Sequence, residues 1–503
     1  MFRKAFLAPV LFLILLAMPF QAMAARVALV IGMADYQNVV KLKNTVNDAK
    51  LIGAKLQSVG FTVTFAIDKS QAELIDMMQA FSFQAETADL AVIYYAGHGV
   101  EVQGENYLIP VDAQVKSNQD IVRVAISLKQ LLKTVESARK MRVIILDSCR
   151  NNPFGDLVDT SVKAEAGATG KASDTRSAGV QGLAPVNPDL GTLVAYAAKD
   201  GQVALDGATG DSPYALALVE AFGQPDLEIS LMFRRVRDTV LASTGNLQEP
   251  YTYGSLSGTP FYLASAASGT PDVATVADPR VAWADIKPEQ EQQLRALADS
   301  GDTRSMLGLA YIRLNPKETR YNPTEAVQYL TKAAAAGAAD AQFELAKLYE
   351  QGTGVPANPV RALELYQASA AQGFADAVND LGFLYYQGGL GLKPDQVKGL
   401  DLFRQAADLR HPEAMFNYAA LIDDGKVAGK GPGDAAKYLY QALRSGSDAV
   451  LKQLTSDPAM FSLKTRTALQ KILRSYNFYK GPLDGNFGKT TQTAIKVAFG
   501  LQS

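Results

Sequence analysis

A fixed period of 36 residues runs through the second half of the chain and limits what that half can fold into. Gly301, Gly337 and Gly373 are each 36 positions apart. Self-similarity at a period of roughly 20 to 50 residues marks stacked supersecondary units, and Ala at regular positions lets paired helices pack closely. The period therefore predicts about four repeats in a helical solenoid over residues 289–447, after a linker at 265–288.

The first half has a different pattern, in which short apolar runs alternate with amphipathic segments. This order predicts right-handed crossovers and a mostly parallel sheet in an α/β sandwich. The expected strands are 26–32, 61–67, the run from 90, the run from 142, 193–198 and a final strand at 261–263. The expected helices are 44–59, 71–83, 126–137, 212–222 and 229–241.

Two of these strands end in polar turns that carry a histidine and a cysteine. Cys149 is the only cysteine in 503 residues, and His98 is one of two histidines. Neighbouring parallel strands would bring both residues to the edge where α/β sheets bind ligands. An imidazole can hold a thiol as its nucleophilic thiolate, and the amides of Gly99 and Cys149 could bind an oxyanion. The alternatives are a buried cysteine that acts as a small hydrophobe and a structural histidine.

Residues 27–32 (VALVIG), 94–99 (YYAGHG) and 146–150 (LDSCR) resemble the caspase-like peptidases, family C14, in their bacterial paracaspase and metacaspase branch. His98 and Cys149 lie 51 positions apart, in agreement with the caspase spacing of about 50. The resemblance covers residues 25–264. It implies a caspase-like sandwich and a cysteine endopeptidase with Cys149 as the nucleophile and His98 as the proton carrier.

In that branch, aspartates at the positions of Asp48 and Asp147 form an acidic pocket for the residue before the cleaved bond. A carboxylate pair in a partly dry pocket favours a cation, and this sequence lacks the Gln-Ala-Cys signature of true caspases. We therefore expect a protein or peptide substrate that is cut after Arg or Lys. The alternative for Asp48 is a helix cap. Val203 stands where the eukaryotic paracaspase has a third pocket acid, so the choice between Arg and Lys stays open. Asp200 and Asp206 lie nearby in the sequence and could supply the missing negative charge, although acids in loops are ordinarily just solvated.

A segment rich in Ala, Gly, Ser and Asp, residues 155–181, has the composition of a mobile loop. In the family it joins the large and small subunits, and some members cut it themselves. Lys163, Lys171 and Arg176 are candidate self-cleavage sites. A simple linker is the plainer interpretation.

The repeats resemble Sel1-like repeats, which imply a protein or peptide partner without naming one. The tail, residues 455–503, is expected to be a small helical domain. Its stretch 479–488 (YKGPLDGNFG) resembles the type 1 peptidoglycan-binding motif. An exposed aromatic residue and Asp484 could face a glycan peptide, although the turn residues are needed for the fold whether or not anything binds.

Residues 1–24 have the features of a cleavable secretory signal: basic Arg3 and Lys4, an apolar run and an Ala-x-Ala site. The expected location is periplasmic or secreted. A net charge of −2 gives no reason to expect nucleic acid as a partner. No cofactor or metal is expected, because no compact run of carboxylates resembles a calcium loop, although a calcium requirement stays open.

Two other functions remain in view. The chain could be a catalytically silent scaffold that binds partners through its repeats and the cell wall through its tail. It could also be a cysteine amidase that acts on wall peptides, since a stem peptide can carry a diamino acid. Intact His98 and Cys149 argue against the scaffold, although a pseudoenzyme can keep its dyad by chance, whereas the amidase shares the dyad and differs only in substrate.

Overall fold

The computed structural model describes residues 25–149, 153–154, 191–199, 204–207, 210–256, 260–264, 283 and 286–501. The signal sequence predicted at 1–24 and the 155–181 loop, with Lys163, Lys171 and Arg176, lie outside the described residues, as do Asp200 and Val203. Within the described ranges, no helix combines the length and the apolarity needed to cross a bilayer.

The first unit is built on one mixed sheet. Its strands are β1 (Arg26–Gly32), β2 (Thr62–Ile67), β3 (Leu90–Val102), β4 (Glu105–Leu108), β5 (Ile126–Ser127), β6 (Met141–Cys149), β7 (Thr192–Tyr196) and β8 (Tyr251–Ser255). The order is β2-β1-β3-β6-β7-β8, with every neighbouring pair parallel except β7 and β8. The far end of β3 also pairs with β4, and β4 with β5, both antiparallel.

Helices cover both faces of this sheet. They are α1 (Thr45–Ser58), α2 (Gln71–Ala85), α3 (Asn118–Val124), α4 (Leu128–Val135), α5 (Pro213–Phe222) and α6 (Ile229–Ser243). One core joins the sheet to α1, α5 and α6, and the other joins it to α2, α3 and α4. The central strands β1, β3 and β6 are buried on both faces, which explains their nearly continuous apolar sequences.

Two predicted elements differ from the structure. The final strand is Tyr251–Ser255, not 261–263, where only isolated bridges form. Phe261 and Leu263 are apolar because they pack into the core with α6, whereas β8 is a half-exposed edge strand with a weaker apolar signal. The helix predicted at 126–137 starts at Leu128, because Ser127 caps it in a capping box with Gln130.

A stack of helices follows: α7 (Pro288–Asp299), α8 (Thr303–Leu314), α9 (Pro323–Ala335), α10 (Ala339–Gln351), α11 (Pro359–Ala371), α12 (Ala375–Gln387), α13 (Gln396–Asp408), α14 (Pro412–Asp423) and α15 (Pro432–Arg444). The three glycines of the 36-residue period separate consecutive helices and have positive φ, as helix ends require. His411 caps α14 by accepting a hydrogen bond from the Ala414 amide. The predicted fold class, a mostly parallel α/β sandwich followed by a helical solenoid, is confirmed.

The tail contains α16 (Asp448–Ser456), α17 (Leu463–Ser475) and α18 (Lys489–Phe499). Between the last two helices, Tyr479 and Phe487 are buried in the core, while Asp484 is on the surface. The Gln470 side chain accepts from the Gly485 amide and donates to the carbonyl of Asn486. The expectation of an exposed aromatic in this turn is therefore wrong for Tyr479 and Phe487, whose apolar rings complete a small core.

The tail and the repeats also pack against the first unit. Arg444, 6% exposed at the end of α15, donates to the Glu86 carboxylate at 2.9 Å and to the carbonyls of Phe83 and Ala498 at 3.0 Å. Its guanidinium lies 4.7 Å from the centre of the Phe83 ring. Arg139 donates to the carbonyl of Arg444. A single buried cation thus connects α2, the last repeat helix and the tail.

The only tryptophan, Trp283, gives a test of this fold. It falls in the predicted linker but is 1% exposed and packs into the core of the repeats. We expect a blue-shifted emission that shifts to the red on unfolding in urea. Trp283→Ala should destabilise the repeats by roughly 3–5 kcal/mol, because it leaves a cavity. A water-exposed emission in the native protein would contradict this placement.

Candidate active site

The pairing of β3 with β6 brings the histidine and the cysteine together. The parallel register runs without interruption from Leu90 opposite Met141 to His98 opposite Cys149. The two residues therefore sit side by side, with Cys149 as the last residue of β6. This is the carboxyl edge of the sheet, where open α/β folds bind ligands.

Two tyrosines fix the backbone of His98. The His98 amide donates to the hydroxyl of Tyr36 at 2.8 Å, and the hydroxyl of Tyr95 donates to the His98 carbonyl at 2.6 Å. A β-carbon added to Gly97 would lie 2.6 and 2.7 Å from those two hydroxyl oxygens. Gly97 is therefore needed because the tyrosine hydroxyls occupy the space a side chain would take.

The imidazole of His98 is held in one tautomer. Its Nε2 lies 2.8 Å from the carbonyl oxygen of Val40, which can only accept, so Nε2 carries the proton. Nδ1 is buried and bonds to nothing in the part of the chain that the structure describes. Burial lowers the pKa of His98 and outweighs the hydrogen bond to Val40, which acts to raise it. The result is a neutral ring with a free lone pair on Nδ1.

Asp147 lies two residues before Cys149 and is 7% exposed. Its Oδ2 accepts from the hydroxyl of Ser212 at 2.6 Å and from that of Tyr94 at 3.0 Å. Burial raises the pKa of Asp147 to about 6, although both hydrogen bonds act to lower it.

Asp48 comes from α1 and is 1% exposed. Its Oδ1 accepts from the backbone amide of Ser212 at 2.8 Å, so Ser212 contacts both predicted pocket acids. Burial, and then the nearby charge of Asp147, raise the pKa of Asp48 to about 8. Asp48 does not cap α1, because Asn44 occupies the N-cap position.

A third acid, Asp206, lines the same small cavity as Asp48 and Asp147. Burial raises its pKa, and its charge acts on His98. Asn44 positions this segment by donating to the carbonyls of Asp206 and Gly207. The expectation that Asp206 is an ordinary solvated loop acid is therefore wrong.

Sequence reasoning missed Ser212 and Tyr94 as pocket residues. Ser212 precedes Pro213 at a helix start, which is a capping signal, and its hydroxyl does accept from the Ala215 amide. Its second role depends on a tertiary contact that no local pattern encodes. Tyr94 stands in the strand motif, but only the sheet register places its hydroxyl at Asp147.

The other predicted site features are placed only in part. Gly99 lies in β3 opposite Leu108, and its role in an oxyanion hole, with that of the Cys149 amide, stays a prediction. Within the described ranges, no group of three or more His, Cys, Asp or Glu side chains is arranged to hold a metal ion.

The buried carboxylates should make stability depend on pH. The folded state keeps a proton on Asp48 up to a pKa of about 8, whereas the unfolded chain loses it near its ordinary pKa. Stability should therefore fall as pH rises between these two values. Asp48→Asn removes this loss and keeps the acceptor for the Ser212 amide, so it should stabilise the protein at pH 8 by on the order of 2 kcal/mol.

Urea unfolding of wild type and variant at pH 4.5 and pH 8 measures the effect. Asp76→Asn, an exposed position on α2, is the matched control and should change stability little at either pH. If Asp48→Asn stabilised the protein equally at both pH values, the result would contradict the raised pKa of Asp48.

Comparisons with known proteins agree with this architecture. A family model of the caspase domain matches residues 25–262, and the Sel1 repeat model matches 303–337, 339–374, 375–411 and 412–447. The human mucosa-associated lymphoid tissue lymphoma translocation protein 1 and its Mus musculus homolog are each 28% identical to this chain over 134 residues. That stretch is 26% of this chain and only 16% of each relative.

Among solved structures, a Sel1 repeat protein from Oxalobacter formigenes is 25% identical, with a TM-score of 0.31 over 38% of this chain and 57% of that protein. A protective antigen of uropathogenic Escherichia coli with an SLR fold is 24% identical, with a TM-score of 0.32 over 42% of this chain and 47% of that protein. The sheet, the strand register and the two family matches agree. The chain therefore contains a caspase-like domain followed by four Sel1 repeats.

Proposed function

We propose that this chain is an exported cysteine endopeptidase that cleaves proteins or peptides after Arg or Lys. The observation that carries the proposal is a cavity lined by three carboxylates directly beside the paired His98 and Cys149 positions. The match to a caspase domain supports a peptidase of the cysteine class.

The state of His98 supports its role as the proton carrier. A neutral imidazole with its proton on Nε2 leaves Nδ1 to accept the thiol proton of Cys149. The Val40 carbonyl would then stabilise the imidazolium that forms, through the Nε2–H bond. In the proposed reaction the thiolate attacks the peptide carbonyl, and the imidazolium returns its proton to the leaving amine.

The pocket supports a preference for basic residues. Asp48, Asp147 and Asp206 present only negative charge to a bound side chain once they ionise. A substrate carboxylate would be repelled there, whereas a guanidinium or ammonium group would offset the cost of burying the acids. Ser212 and Tyr94 hold Asp147 in place, so this carboxylate is oriented before substrate arrives.

The remaining regions fit a protein that acts outside the cytoplasm. Residues 1–24 have the pattern of a secretory signal, and the tail stretch 479–488 resembles a peptidoglycan-binding motif. Asp484 on the surface of that turn is available to a wall peptide. The Sel1 repeats would hold protein partners.

Paired fluorogenic peptides that end in Arg, Lys or Asp test the proposal on the purified mature protein. We expect turnover of the Arg or Lys peptide only, and none by Cys149→Ala. Asp147→Asn should reduce kcat/KM for the basic peptides roughly 10- to 100-fold, because it removes a buried charge that pairs with the substrate. KM should rise as pH falls below about 6, the pKa of Asp147.

The controls separate the rival functions. An Asp147→Asn protein that kept full preference for Arg would remove the pocket assignment. No turnover of any peptide, together with a Cys149 that fails to react with iodoacetamide, would favour the silent scaffold. Cleavage of wall stem peptides alone would favour the amidase.

A further inference from the structure

A row of acidic side chains runs along the first helices of the second and third repeats. Asp340 and Glu344 lie on α10, and Asp376 and Asp380 lie on α12. Each residue of the second pair follows its counterpart by one 36-residue period. The acids therefore occupy equivalent positions in successive repeats.

Two buried tyrosines lie close enough to these acids to feel their charges. Burial, and the charges of Glu344, Asp340 and Asp376, raise the pKa of Tyr311 well above its usual value. Burial raises the pKa of Tyr366 too, as do its hydrogen bond to Glu350 and the charges of Asp380 and Glu344. Tyr311 is thus close to acids of two different repeats.

Few cations neutralise this row. Lys347 lies 3.5 Å from Glu344, and Nε2 of His411 lies 3.6 Å from Asp376. The charge of Arg304 also acts on Asp340, although Arg304 already pairs with Glu228. Four carboxylates therefore face one lysine, one histidine and this arginine, so the row keeps a net negative charge.

Asp340 and Asp380 form no salt bridge with any residue in the described ranges. Burial raises the pKa of both. In the first repeat, the position equivalent to Asp340 is Arg304, which is bound to Glu228 at 2.8 Å. The acidic row thus begins one repeat after the arginine that binds Glu228 of the caspase-like domain.

A buried acceptor without a donor lies within the row. Asn379 is 6% exposed, and its Nδ2 donates to Oδ1 of Asp380 at 3.3 Å. Its Oδ1 is buried and has no hydrogen-bond partner among the described residues. Exchanging the amide atoms would turn an oxygen toward a carboxylate, so the unpaired atom is the acceptor. It points to a ligand that donates hydrogen bonds.

The row therefore offers acceptors and negative charge, spread over two repeats. A single metal ion does not fit, since no three of the described His, Cys, Asp or Glu side chains converge as ligands would. We propose that α10 and α12 bind a peptide segment that carries several Lys or Arg side chains, at a site separate from the peptidase cavity. The site would hold such a segment whether or not the chain hydrolyses it.

Binding can be measured by fluorescence anisotropy on the full chain carrying Cys149→Ala, which prevents hydrolysis. The probe is a labelled Gly/Ser peptide with three arginines. We expect Asp376→Asn with Asp380→Asn to weaken binding at least about tenfold, and added salt to weaken wild-type binding. Native Trp283 emission would show that the variant remains folded.

The matched control is Asp401→Asn with Asp408→Asn. It removes the same charge from the same repeat, but on exposed positions of α13 that pair with Arg404. The control should bind as wild type does.

Asp147→Asn in the same Cys149→Ala background distinguishes the two acidic sites. If Asp147→Asn abolished binding while the repeat variant still bound the peptide, the peptide would occupy the peptidase cavity. That result would overturn the proposal. Equal binding of a peptide with glutamates in place of arginines would also overturn it. A failure of peptide hydrolysis would leave this binding result unaffected, because the assay uses an inactive chain.

Discussion

The parallel register between β3 and β6 is the constraint on which the candidate site depends. It sets His98 opposite Cys149 and places Asp147 two residues before the cysteine. The same strands carry Tyr94, which bonds Asp147, and Tyr95, which bonds the His98 carbonyl. A slip of one residue would turn every one of these side chains to the other face of the sheet. The two buried cores on either face hold the register.

The acidic pocket works against stability. Asp48 and Asp147 are both nearly excluded from water, and their raised pKa values mean that burial outweighs the hydrogen bonds they accept. Such a site persists because the surrounding structure holds it. Ser212 contacts both carboxylates and caps α5, so the start of one helix fixes the pocket. In the proposed function, a bound cation would relieve this cost, so binding of a basic side chain would favour ionisation of the pocket.

The sequence predicts most of the strands and the repeats, for physical reasons. Strands buried on both faces leave continuous apolar runs, and a 36-residue period leaves equally spaced glycines. The edge strand β8 gave a weak signal because it is half-exposed, so the apolar residues Phe261 and Leu263 were mistaken for the strand. Asp206 and Ser212 could not be assigned, because they reach the pocket from loops that only tertiary packing positions. Equally, no local pattern shows that Arg444 docks the repeats on α2.

The proposed function depends most on one property of the site, that the three-carboxylate cavity presents a basic residue to Cys149. Mass spectrometry of the intact protein after reaction with arginyl or aspartyl peptide chloromethyl ketones tests it directly, because Cys149 is the only cysteine. We expect rapid addition of one arginyl adduct, on Cys149, and slow or absent addition of the aspartyl reagent. Equal rates for the two reagents, or faster reaction with the aspartyl one, would contradict it.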